Sequence, residues 1–183
     1  FTMLRHPVSR VISLMNYWKE VASPDSWVWR DSSAEDRAAY DLAGRADLSE
    51  FITARNDKVI DQVHNLACRR ILGEPQGGRS ELVFARLAFE CLCEEALWFG
   101  LQEEFAWSAL HLPLLFRLKK SALDAGQLRQ NVTTQKRVQI MGDGDLPEGV
   151  LGADLILYEK AQTLFQRRVH SMMSHIYAAL VSP

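Results

Sequence analysis

A strand that feeds straight into a helix is the feature of this chain that most limits its fold. Phe1-Thr2-Met3-Leu4 is a short apolar run, Arg5 follows it, and Pro7 stands where a helix takes its first residue. From there Val8, Val11, Ile12, Met15 and Trp18 recur at helical spacing, while Ser9, Ser13 and Asn16 form a separate polar stripe. The pattern predicts a strand at residues 1–4 and a helix near 7–22. Such a junction turns unpaired backbone N–H groups and the positive end of a helix toward any anion in front of it. Arg5 adds a planar, permanently charged fork suited to phosphate.

Composition narrows the class. The chain has 183 residues, 48% hydrophobic and 24% charged, with a net charge of −2, as expected of one soluble globular domain spanning 1–183. No basic excess points to nucleic acid. A mean hydropathy of −0.13 and the lack of any apolar run of spanning length argue against a transmembrane segment in these residues. No cationic region precedes Phe1 as it would in a signal peptide, and the chain reads as cut at its start. Cys68, Cys91 and Cys93 are too few for a disulfide framework and have no histidine at zinc spacing, so no metal is expected. Cys91 and Cys93 lie in an apolar helical run with Leu82, Phe84, Leu87 and Leu92, which assigns at least one of them to the core.

Further along, the periodicity predicts helices near 47–55, 57–72, 80–95 and 103–117, with a strand near 97–101. A long final helix carries Leu157, Ala161, Leu164, Phe165, Val169, Met172, Ile176 and Leu180 on one side. Residues 73–80, with Gly73, Pro75, Gly77 and Gly78, read as a turn, as do Gly142 and Gly144. The stretch from Ser23 to Ser49 reads as a loop. Its Trp27, Trp29, Arg30, Tyr40 and Arg45 suit a sulfated or uronic sugar, or else pack beneath a plain surface loop.

The spacing Arg5-x-Pro7-x-x-Arg10-x-x-Ser13 resembles the 3′-phosphate-binding motif of sulfotransferases that use 3′-phosphoadenosine 5′-phosphosulfate (PAPS). The resemblance implies that Arg5 and Ser13 hold the 3′-phosphate. The family's usual Asp after the Arg is His6 here, and a neutral His can still accept a hydrogen bond as a helix cap. Three more stretches are similar to the family in the same order: Asn65 to Gly73, its Arg-x-Leu-x-Gly helix end; Leu97 to Phe105, its short strand ending in Glu; and Asp154 to Ala161, its Leu-Tyr-x-x-Ala helix start. The polar, basic stretch Leu128 to Arg137 resembles a loop of carbohydrate 2-O-sulfotransferases that closes over the nucleotide. That likeness adds Arg129, Thr133 and Lys136 to the expected cofactor-binding set. The sequon Asn131-Val132-Thr133 lies in the same loop, where a glycan would obstruct a nucleotide.

What the resemblance implies is an α/β, P-loop-kinase-like sulfotransferase fold, truncated at its N-terminus and dominated by helices, with about two visible strands. The activity it implies is transfer of a sulfuryl group from PAPS to a hydroxyl of a glycan or similar acceptor. Eukaryotic members are mostly Golgi enzymes on a membrane anchor. Transfer needs in-line geometry, a base at the acceptor and cations on the bridging oxygen. The family's loop for the 5′-phosphosulfate, with its Lys or Arg and its Ser or Thr, has no counterpart in these residues, and no catalytic residue is assigned. His6 suits capping better than base catalysis. A non-catalytic nucleotide-binding module and a helical interaction domain stand as alternatives.

Overall fold

The computed structural model describes residues 1–116 and 149–181. Arg129, Thr133 and Lys136, together with Asn131, Gly142 and Gly144, lie outside them. The described residues are mostly helical, with one small parallel sheet. Strand β1 (Thr2–Leu4) leads into α1 (Pro7–Val21), as the apolar run and Pro7 predict. Proline stands at the first position of α1, where the missing N–H costs nothing and its fixed φ suits the helix.

The expected loop from Ser23 to Ser49 is instead largely helical, as α2 (Trp27–Asp31) and α3 (Ala34–Arg45). A capping box closes the start of α3: the Ser33 side chain accepts from the Asp36 N–H, and the Asp36 carboxylate accepts from the Ser33 N–H. The buried face of α3 is made of Ala39 and Ala43, too small to mark an apolar stripe yet well suited to close helix packing. A second capping box, between Asp47 and Glu50, starts α4 (Leu48–Thr53).

Residues 57–72, read as one helix, form two: α5 (Asp57–Val63) and α6 (Leu66–Leu72). Asn65 breaks them with φ 42° and ψ 43°, the left-handed conformation that asparagine tolerates better than most residues. Its N–H donates to the Val150 carbonyl at 2.9 Å, and its Oδ1 accepts from the Asp154 N–H at 3.2 Å. Contacts from the far end of the chain therefore hold this break. Residues 73–80 turn as expected, and Ser80 caps α7 (Glu81–Glu94).

Strand β2 (Phe99–Leu101) pairs parallel to β1 in the register Thr2 to Phe99, Met3 to Gly100 and Leu4 to Leu101. A parallel pair needs a long crossover, supplied here by the helices from α1 to α7. Helix α8 (Phe105–Phe116) and the long α9 (Gly152–Val181) complete the described elements.

Two apolar clusters result. One gathers α1, α3, α4 and α5 around Met15, Phe51, Ile52 and Val59. The other packs β1, β2, α6, α7 and α9 around Phe84, Phe99, Leu101 and Phe165. Cysteine burial differs from expectation. Cys68 is the buried thiol, while Cys91 is half-buried at the edge of the packed face of α7 and Cys93 is exposed. No helix among the described residues is long and apolar enough to cross a membrane.

Candidate functional site

The turn between β1 and α1 is the focus of the site, and three separated sequence stretches meet there. Glu103, just past β2, accepts from the His6 backbone N–H at 2.9 Å through Oε1 and from the Tyr158 hydroxyl at 2.8 Å through Oε2. The His6 ring meets Tyr158 edge-on, with centroids 5.3 Å apart. Burial, then the hydrogen bond to Glu103, push the Tyr158 phenol well above its ordinary range. It stays a neutral donor. The expected capping by the His6 side chain is absent: that ring makes no cap hydrogen bond, because the Glu103 carboxylate already faces the helix start.

Arg5 lines an open cleft of about 580 Å³ with Arg10, Arg70 and Gln102 among the polar residues. Among the described residues, neither Arg5 nor Arg70 forms an ion pair with a carboxylate. Arg10 is committed elsewhere. Its guanidinium donates to the carbonyls of Gln62 at 2.7 Å and Val63 at 3.0 Å, at the end of α5, and lies 3.5 Å from Asp154. Burial pulls the Arg10 pKa down, Asp154 opposes that, and Arg70, Arg69 and Arg5 add to it. Four guanidinium groups thus share this corner.

Asp154, in the first turn of α9, holds the corner together. Its side chain accepts from the N–H groups of Ala67 at 3.0 Å and Cys68 at 2.9 Å, capping α6 from a distant element. Burial and the adjacent Asp154 push the Cys68 thiol far up, which makes it an inert core group.

Ser13 sits in α1, half-buried, about 9 Å along the helix axis from Pro7. It is not among the described residues that line the cleft. The structure therefore places Arg5 at the cleft and Ser13 in α1, outside the residues that line it. The aromatic residues proposed for an acceptor divide. Trp29 packs on Tyr40 at 6.3 Å, and Tyr40 meets Trp18 at 5.6 Å, while Trp27 stays 70% exposed. Most of that aromatic surface serves packing.

Sequence reasoning did not assign a role to Arg10, Asn65, Glu103 or Asp154. Glu103 and Asp154 stood inside stretches singled out by resemblance, and that was the available signal. Among the described residues, no group of His, Cys, Asp and Glu is arranged to hold a metal ion. Comparison with protein-family models, curated proteins and solved structures finds no match to this chain.

Proposed function

We propose that this chain is a sulfotransferase module that binds the 3′-phosphate side of PAPS and serves transfer of a sulfuryl group to a hydroxyl of a glycan or similar acceptor. One observation carries the reading: the Arg5-His6-Pro7 turn, Glu103 after β2 and Tyr158 in α9 form a single hydrogen-bonded junction. Each belongs to a separate stretch with a sulfotransferase resemblance. A strand–helix turn whose arginine pairs with no carboxylate among the described residues, at an open cleft, also suits a phosphate.

In this reading Arg5 and Ser13 hold the 3′-phosphate, Arg129, Thr133 and Lys136 close over it, and the bound donor supplies the sulfuryl group. Glu103 and Tyr158 position the turn. The finer fold assignment, P-loop-kinase-like, and a Golgi setting with a membrane-anchored parent belong to the same proposal.

A second reading, a nucleotide-binding module without turnover, is favoured by one observation. The one histidine at the junction has its ring edge-on against Tyr158.

Calorimetry with adenosine 3′,5′-bisphosphate tests the binding. Wild type is expected to bind, and Arg5→Ala and Ser13→Ala each to weaken binding by about tenfold or more. A folded sample that shows no heat of binding overturns the nucleotide reading. Transfer of labelled sulfate to glycans separates the two readings: turnover by this chain excludes the module without turnover.

A further inference from the structure

We propose that the free edge of β1 takes up an extended polypeptide segment, apolar with an acidic residue, which becomes a third strand of the sheet.

The backbone shows which edge is open. The Thr2 N–H donates to the Trp98 carbonyl at 3.1 Å, and the Gln102 N–H donates to the Leu4 carbonyl at 2.8 Å. In a parallel ladder alternate residues face the partner, so Thr2 and Leu4 turn their polar groups toward β2 while Met3 turns its own away. No described residue bonds to the backbone of Met3 or Arg5.

The opposite edge is closed at Leu101. The Leu101 N–H donates to Ser108 Oγ at 2.9 Å, and that hydroxyl donates back to the Leu101 carbonyl at 2.9 Å. One serine there does the work of a neighbouring strand. An edge whose donors and acceptors no described residue pairs, as on β1, is a template for another strand.

The cleft has the shape for one. All five residues from Phe1 to Arg5 line it, although successive side chains of a strand point to opposite faces. A groove along the strand edge meets both sets. Across it, Leu66 and Ile71 of α6 and Leu92 of α7 form an apolar wall. Phe1 is 85% exposed and Met3 41%, so the strand itself offers apolar surface.

Charge selects the occupant. Among the described residues, Arg5 and Arg70 line the groove without a carboxylate partner, and Glu95 is the one carboxylate lining it. A second copy of the chain would set these guanidinium groups against their own duplicates, whereas an acidic segment meets them with opposite charge. Main-chain bonds to Met3 supply strand pairing, and the arginines supply selectivity. The inference stands apart from the nucleotide reading, although Arg5 serves both.

Fluorescence anisotropy of the full chain, without nucleotide, tests it with a labelled octapeptide of alternating valine and glutamate. Two further versions are N-methylated, one at every valine amide and one at every glutamate amide, and another carries lysine for glutamate. The expected result is saturable binding of the glutamate peptide, about tenfold or more tighter than the lysine peptide. At least one methylated version loses binding. Met3→Pro removes the outward N–H but leaves the ladder to β2, as edge strands allow, and is expected to weaken binding about tenfold. If circular dichroism shows Met3→Pro unfolded, the methylated peptides decide alone. The proposal is overturned by no binding, by equal binding of the lysine peptide, by full binding of both methylated peptides, or by full binding to a folded Met3→Pro. Sedimentation that shows self-association lost in a folded Met3→Pro assigns the edge to a second copy and equally overturns it.

Discussion

Arg10 shows how a residue can be conspicuous in sequence and still conceal its role. It lies inside the Arg5 to Ser13 spacing, yet its guanidinium holds the carbonyl end of α5 and pairs with a fully buried carboxylate, Asp154. That carboxylate also receives the first N–H groups of α6. Removing one partner of such a pair leaves the other charge buried. Asp154→Asn is therefore expected to destabilise the chain by about 3 kcal/mol in urea unfolding, and the double variant Arg10→Met with Asp154→Asn to cost less than the two singles summed. An additive result would show that the two side chains act independently. Arg5 could be read locally, because a strand end and a proline define its surroundings. Arg10 could not, because its partner arrives on α9.

Among the elements, those with strong local signals match expectation closely. The apolar period and Pro7 mark α1, and the Ser80 cap with the Phe84, Ala88 and Leu92 stripe marks α7. Helix α3 escaped because its packed side chains are alanines, and the split between α5 and α6 escaped because Asn65 is held left-handed from outside its own segment. In β2 the reason for Gly100 is steric. A Cβ there would lie 2.7 Å from the Trp98 ring and 2.8 Å from Ser108 Cβ. Ser108 in turn closes the strand's outer edge. Ser108→Ala leaves the Leu101 N–H buried without its partner, while the Leu101 carbonyl keeps the Glu104 N–H at 3.2 Å, at an expected cost of about 1–3 kcal/mol. Hydrogen exchange at the Leu101 amide should accelerate beyond what global destabilisation explains. An unchanged rate would mean that water or another side chain replaces the hydroxyl.

At the scale of the whole molecule, the two apolar clusters are joined where α1 and α6 meet the start of α9, through Arg10, Asn65 and Asp154. Surface carboxylates add a dependence on acid. A hydrogen bond from the Ser33 hydroxyl, then Lys58, hold Asp36 below its ordinary 3.8, and Arg69, then Gln62, do the same for Asp61. Their folded values lie below the unfolded ones, so the stability they add is present above about pH 4 and is lost as pH falls further. Urea midpoints are expected to drop below that pH, and Asp61→Asn to make the drop shallower; an identical profile for the variant would remove Asp61 from the account. By itself, the sequence determined the strand–helix turn at Arg5 and most helix positions, because periodicity, caps and proline act within a few residues. The tertiary structure alone decided that His6, Glu103 and Tyr158 share one junction, that Ser13 is not among the residues lining the cleft, and that no described residue pairs with the outer edge of β1. Those facts depend on which distant groups satisfy each buried donor, carboxylate and strand edge, and only the packed chain brings those groups into reach.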